Sequence, residues 1–63
     1  MKMNVEVIET TICYESGYRY YVFDTDNGKH IDTFDVLESN RRKARAEFRK
    51  YAKDVYEFKY IKK

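Results

Sequence analysis

Few side chains in this sequence could carry out covalent chemistry. It has one histidine, His30, and one cysteine, Cys13, while Ser16 and Ser39 fall at a turn and next to a helix start. Nucleophilic catalysis needs a nucleophile, a base and an orienting group in mutual contact. Since His30 and Cys13 fall on predicted strands that are not neighbours in the chain, we expect no triad and no enzyme.

An acidic segment offers the best match to a metal site. Asp24, Asp26 and Gly28, with Asp35 in the twelfth position, partly match a calcium-binding loop. That loop needs Asp or Asn at its fifth position and Gly at its sixth, between two helices. This segment has glycine and lysine there, between predicted strands. One Cys and one His are too few ligands for a zinc site. The sequence predicts no metal and no cofactor.

Carboxylates are the remaining candidates for catalysis. Four of them cluster around one predicted hairpin: Asp24, Asp26, Asp32 and Asp35. Acid–base catalysis requires pKa values shifted by burial or by close neighbours. Because so small a fold offers little cleft, we interpret these residues as a solvated hairpin surface.

The segments that must position these residues are predicted to form an antiparallel sheet. Three stretches rich in β-branched and aromatic residues predict strands: residues 4–14, 18–25 and 30–36. Asn27-Gly28 predicts a two-residue type I′ turn between the second and third strands. Ser16-Gly17 predicts the turn between the first and second.

One helix and a final strand complete the predicted fold. Ser39 or Asn40 can cap a helix that begins near Arg41. An apolar stripe at helical spacing is expected to cover the sheet: Ala44, Phe48, Tyr51, Ala52 and Val55. Residues 55–61 favour a strand, with a helix extension as the alternative. The predicted class is α+β, a single domain over 1–63 with a three-stranded antiparallel meander, one amphipathic helix (β-β-β-α) and a short C-terminal strand.

The predicted turn also fixes which side chains form the core. With Asn27 and Gly28 as the loop, Tyr21 faces Phe34 across the hairpin. The expected core face then comprises Ile8, Ile12, Tyr14, Tyr21, Phe23, Phe34 and Val36. The apolar residues of the first strand fall on both of its alternating faces, and a bulge near Val7–Ile8 would bring them to one face. The exposed face would show Tyr18, Tyr20, Val22, Ile31 and Thr33.

Charge is divided unevenly along the chain. Residues 1–38 hold three Lys/Arg against eight Asp/Glu, and residues 39–63 hold ten against three. Such asymmetry is typical of proteins that bind an oppositely charged partner, although a basic helix can also complement an acidic sheet within the chain. One stripe of the predicted helix is basic and forms the candidate nucleic-acid-binding site: Arg42, Arg45, Arg49 and Lys53.

The order of elements resembles one class of DNA-binding domains. Three strands, then Thr33-Phe34-Asp35, then a helix with Ala44, Phe48 and Tyr51-Ala52 is similar to the AP2/integrase-arm class over about residues 18–52. The resemblance implies a three-stranded sheet laid in the major groove. The tryptophan and arginine-rich strands of that class are missing here, so the likeness is one of architecture.

Protein binding is the function that we expect first. Seven tyrosines in 63 residues exceed what one small core can hide, and tyrosine is an efficient interface residue. The candidate protein-binding site combines an apolar patch with acidic side chains that could mimic phosphates: Tyr18, Tyr20, Val22, Ile31, Asp24, Asp26, Asp32 and Asp35. A homodimer is also expected, because a chain this short buries a marginal core.

Composition narrows the class of protein further. No apolar run approaches the length of a membrane span, and residues 1–9 lack the apolar segment of a signal peptide, so we expect a cytoplasmic protein without a membrane partner. The short, proline-free chain, rich in tyrosine and charge, is similar to accessory proteins of phages and mobile elements. We therefore predict a small module that occludes the working surface of a larger host protein, with nucleic-acid binding through helix residues 41–53 as the alternative.

Overall fold

Four strands and one helix form two layers in the computed structural model, which describes residues 2–12 and 16–61. The elements are β1 (Met3–Thr11), β2 (Tyr18–Asp24), β3 (His30–Val36), α1 (Arg41–Ala52) and β4 (Tyr56–Tyr60). The strands form one sheet in the order β3-β2-β1-β4. The predicted α+β succession is confirmed, and residues at the C-terminal end form a strand rather than an extension of the helix.

Strand β4 joins the sheet beside β1, with the two strands parallel. The pairs β1–β2 and β2–β3 are antiparallel. Since β3 and β4 occupy opposite edges, the connection between them must pass over the two central strands, and α1 makes this crossing. The helix contacts β2, β3 and β4 and so covers one face of the sheet.

The ends of α1 follow from local chemistry. Asn40 is the N-cap, and its side-chain oxygen accepts a hydrogen bond from the Lys43 backbone N–H at 3.2 Å. The next residues are mostly strong helix formers. After Ala52 the chain turns, and the Val55 N–H donates to the Ala52 carbonyl at 3.0 Å. Val55 therefore lies beyond the helix, where it is half exposed, and is not part of the apolar stripe that the sequence predicts.

The core lies between the helix and the sheet. Its buried side chains are Val5, Val7, Tyr20, Val22, Val36, Ala44, Phe48 and Ala52. The Phe48 ring stacks on Tyr20 with centroids 4.6 Å apart and meets Phe58 edge-on at 5.1 Å. Aromatic packing of this kind stabilises a core beyond the area that it buries.

The predicted core face is wrong for β1 and β2 and correct for β3, where Val36 is buried and Phe34 packs against the core. Tyr20 and Val22 are fully buried against the helix, whereas Tyr21 and Phe23 lie on the opposite side of the sheet, because neighbouring residues of a strand point to opposite faces. Tyr20, and not Tyr21, is paired with Phe34. The predicted register is thus off by one residue, and a shift of one residue turns every side chain to the other face.

The loop between β2 and β3 explains this error. Its four residues, 25–28, replace the predicted two-residue turn: the Asp24 N–H donates to the Lys29 carbonyl at 2.9 Å, and the Gly28 N–H to the Asp24 carbonyl at 2.8 Å. Gly28 has φ +70°, and it is the only positive value in the described residues, so Asn27 does not adopt the type I′ conformation. A register shift between Val22 and Phe23 follows.

The pairing of β1 and β2 is regular. It runs without interruption from Val5 to Thr11, so the predicted bulge near Val7–Ile8 is wrong. The Ile12 N–H donates to the Gly17 carbonyl at 3.1 Å, which closes this end of the hairpin. Residues 13–15, with Cys13 and Tyr14, lie outside the described residues.

Candidate functional site

One face of the sheet is left without a covering helix in the described part of the chain. We call it the open face, and the register aligns its residues in three rows across the strands. The rows are Lys59–Glu6–Phe23–His30, Ile8–Tyr21–Thr33 and Thr10–Arg19–Asp35. Cross-strand partners of one row lie side by side on the same face, so the rows define one continuous surface.

The centre of the open face is apolar. Ile8, Tyr21 and Phe23 occupy adjacent positions of β1 and β2 and are each of intermediate exposure. The His30 ring lies 5.5 Å from Phe23 and 6.0 Å from Tyr21 between centroids. A groove of about 860 Å³ is lined by Ile8, Tyr21 and Phe23 together with Arg45 and Tyr60. The surface is therefore apolar at its centre and indented at one side.

Charges of both signs surround this centre. The Arg19 guanidinium donates two hydrogen bonds to the Asp35 carboxylate, at 2.7 and 3.0 Å. These hydrogen bonds hold the pKa of Asp35 below its ordinary value. Glu6 and Lys59 are neighbours on adjacent strands. A polar rim around an apolar centre is the usual composition of a protein–protein interface.

The predicted apolar patch does not lie on the surface. Tyr20 and Val22 are fully buried, Tyr18 packs against the core, and only Ile31 is exposed among the four residues, at 38%. The predicted exposure of Tyr20 and Val22 is wrong for the same reason as the core face, namely the register. The aromatic residues of β2 that lie on the open face are Tyr21 and Phe23, which alternate with the buried Tyr20 and Val22 and are of intermediate exposure.

The four aspartates do not form one surface. Asp35 lies on the open face with Arg19, whereas Asp32 pairs with the buried Val22 on the helix side. One oxygen of Asp32 accepts hydrogen bonds from the hydroxyls of Tyr51, at 2.5 Å, and Tyr56, at 3.2 Å. The Asp24 carboxylate accepts from the backbone N–H of Asp26 and so stabilises the loop. These four residues therefore do not form one acidic surface that could mimic the phosphates of a nucleic acid.

The basic stripe of α1 is divided by the structure. Arg45 turns toward the sheet, where its guanidinium donates two hydrogen bonds of 2.9 Å to the Glu9 carboxylate and lies 4.6 Å from the centre of the Tyr60 ring. The other stripe residues, Arg42, Arg49 and Lys53, are exposed. Within residues 2–12 and 16–61 these three form no ion pair.

Glu9 is the least exposed charged residue among the ion pairs of the described residues. Its side chain is 11% exposed and accepts hydrogen bonds from Arg45 and, at 2.9 Å, from the Tyr20 hydroxyl, with Arg41 at 3.5 Å. Burial alone would raise its pKa, but the hydrogen bonds and charges of its partners outweigh burial, so the pKa of Glu9 is lowered. Burial, followed by the hydrogen bond to Glu9, raises the pKa of Tyr20. In the described residues every buried side-chain nitrogen or oxygen atom has a hydrogen-bond partner, and the contacts of Glu9 with Arg45 and Tyr20 attach the helix to the sheet.

The described residues give little support for catalysis or metal binding. His30 Nε2 lies 2.7 Å from the Thr33 hydroxyl on the exposed surface. No group of three or more His, Cys, Asp or Glu in this part of the chain could hold a metal ion. Nor is any helix there long and apolar enough to cross a membrane.

Comparison with known proteins adds no identity. No protein family, curated protein or solved structure matches this chain. The likeness to the AP2/integrase-arm class is thus limited to the order of elements, and here the sheet carries a fourth strand. The site must be argued from its own geometry.

Proposed function

We propose that this protein is a small, non-enzymatic binding module whose open face docks on a larger protein and occludes its working surface. The observation that supports this proposal is the apolar centre on the face that α1 does not cover. Ile8, Tyr21 and Phe23 are adjacent and only half-buried, and a contiguous apolar patch on a sheet is typical of an interaction site.

The chemistry of the open face defines the partner. Aromatic and aliphatic side chains at the centre favour a partner with an apolar patch, and the Arg19–Asp35 pair and Glu6 favour polar groups around it. The rim carries both signs, so it does not select a strongly acidic or strongly basic partner. Because the strands hold these side chains in fixed rows, little conformational entropy is lost on docking.

The test compares the wild type with two double variants. Ile8→Thr with Phe23→Thr removes apolar area from the open face and places threonine, a β-branched residue that favours strands, at both positions. The matched control, Leu37→Thr with Val55→Thr, removes two exposed apolar side chains, 70% and 50% exposed, from the connections on either side of α1. Circular dichroism checks that each variant is folded. Each protein is then used as bait, and a captured protein is purified and titrated by calorimetry.

We expect the purified partner to bind the wild type and the control alike and to bind the open-face variant at least about tenfold more weakly. Equal binding by all three proteins would refute the proposal. Light scattering tests whether a second copy of the chain occupies this face, because it reports the oligomeric state. A dimer that dissociates only in the open-face variant would show that a second copy takes the place of the larger partner.

A further inference from the structure

The outward side of α1 is a second charged surface, remote from the open face. We call it the outer face; its cations are Arg42, Lys43, Arg49, Lys50 and Lys53. They lie on the side of the helix opposite to the buried Ala44, Phe48 and Ala52. Glu47 is the one acidic residue among them and lies 3.6 Å from Lys50. The net charge of +2 of the whole chain is thus unevenly distributed.

The ion pairs within the fold determine which cations of the helix are left to bind a ligand. Glu9 engages Arg45 and Arg41. Among the hairpin carboxylates, Asp35 contacts Arg19, Asp32 contacts tyrosine hydroxyls and Asp24 contacts the loop backbone. In the described residues, Arg42, Arg49 and Lys53 form no ion pair. Pairing of the basic helix with the acidic sheet therefore explains the positions of Arg45 and Arg41. It does not explain why the other three cations are on the helix.

We propose that the outer face binds double-stranded DNA through its phosphates. Arg42, Arg49 and Lys53 follow one side of the helix, and the first and last are eleven positions apart, about 16 Å at a rise of roughly 1.5 Å per residue. Ala46, the exposed residue between them, has a small side chain that allows close approach of a nucleic-acid backbone. Each phosphate that a cation neutralises releases condensed counterions, which favours binding at low salt.

The surroundings of these cations favour duplex DNA over other polyanions. Single strands are bound on aromatic side chains that stack with bases, but the aromatic residues of α1 face inward, since Phe48 is buried and Tyr51 stacks on Phe34 at 4.5 Å. The major groove of B-form DNA admits an α-helix, whereas that of A-form RNA is too narrow. The apolar side of α1 is covered by the sheet, so the helix has no apolar face for insertion into a lipid surface.

The experiment is an anisotropy titration of a labelled mixed-sequence duplex at about 50 and 200 mM salt. Arg42→Glu/Arg49→Glu/Lys53→Glu replaces three of the five outer-face cations. The matched control, Lys2→Glu/Lys29→Glu/Lys62→Glu, makes the same change in net charge at three lysines outside residues 41–53. Circular dichroism establishes that both are folded, and single-stranded DNA, duplex RNA and vesicles of anionic lipid replace the duplex in parallel titrations.

We expect wild-type affinity for the duplex to fall steeply with salt. The outer-face variant should lose at least about tenfold in affinity, and its salt slope should decrease by about 2 to 3, whereas the control variant should retain most of both. Absence of duplex binding by the wild type at low salt would overturn the proposal. So would equal losses in the two variants, because the attraction would then depend on net charge alone, and so would tighter binding of single strands, RNA or vesicles. This test leaves Ile8 and Phe23 unchanged, so its failure is distinguishable from failure of the proposed protein binding.

Discussion

At the scale of single residues, Glu9 determines how the helix is attached to the sheet. Replacing it by glutamine removes the charge that Arg45 and the Tyr20 hydroxyl contact. We expect Glu9→Gln to lower the free energy of unfolding by about 1 kcal/mol at neutral pH, because Arg45 is partly solvated. Urea unfolding followed by circular dichroism measures the loss.

The pH dependence of this difference follows from the lowered pKa of Glu9. A carboxylate whose pKa in the folded state lies below its ordinary value of 4.5 stabilises the fold above that value and stops doing so as the pH falls through the folded pKa. The gap between wild type and Glu9→Gln should therefore close in acid. Asp35→Asn, which breaks the exposed pair with Arg19, is the control and should change neutral stability little. A gap that is constant with pH would contradict the assignment.

The two glycines are required for different reasons, although both fall at predicted turns. A Cβ on Gly17 would lie 2.6 Å from the Val36 carbonyl oxygen, whereas Gly28 has open space around it but a φ of +70°. We expect Gly28→Ala to cost about 1 kcal/mol of unfolding free energy through backbone strain and Gly17→Ala to cost more, since the backbone must move. Thermal unfolding of the two variants ranks them. Gly28→Asn should recover part of the loss, because asparagine tolerates this conformation.

At the scale of elements, the start of α1 distinguishes the two caps that the sequence allowed. Asn40 accepts the hydrogen bond from the Lys43 N–H, and Ser39 is exposed. Asn40→Ala should lower the unfolding free energy by about 1 kcal/mol, and Asn40→Asp should not. Ser39→Ala serves as the matched control in the same denaturant titration. A larger loss in Ser39→Ala than in Asn40→Ala would mean that the cap is misassigned.

The helix and the strands differ in how well their buried faces could be predicted from the sequence. The periodicity of Ala44, Phe48 and Ala52 predicted the buried side of the helix correctly, because one stripe of a helix is distinctly apolar. The strands are apolar in both phases, with Tyr20 and Val22 in one and Tyr21 and Phe23 in the other. Alternation alone therefore cannot tell which face is buried. The choice depended on loop length, and a four-residue loop reversed it.

The residues of the candidate site could also be predicted only in part. Arg42, Arg49 and Lys53 are exposed, as their spacing indicates. The contact of Arg45 with Glu9 joins residues 36 positions apart and has no local signal. The position of Glu9 in phase with Val5 and Val7 on one strand was the one sign in the sequence that a charged residue faces the core side.

At the scale of the whole molecule, the raised pKa values of four tyrosines predict a fold that is sensitive to alkali. Burial is the main cause that raises the pKa values of Tyr20, Tyr56 and Tyr60, and the hydrogen bond to Asp32 raises that of Tyr51 to about 12. Since these pKa values are raised in the folded state, the protonated hydroxyls stabilise it fully below the ordinary value of 10.0. That contribution is lost as the pH rises through the folded values.

We therefore expect the unfolding free energy to decrease between about pH 10 and pH 12, with tyrosinate absorbance and loss of circular dichroism rising together. Tyr51→Phe removes one hydroxyl of raised pKa and should reduce this decrease, whereas Tyr21→Phe, on the open face, should leave it as in the wild type. If tyrosinate formed while the secondary structure persisted, the hydroxyls could be ionised within the fold. The two layers would then not depend on their protonation. Loss of structure in step with ionisation would instead place these hydroxyls among the groups that hold the helix on the sheet.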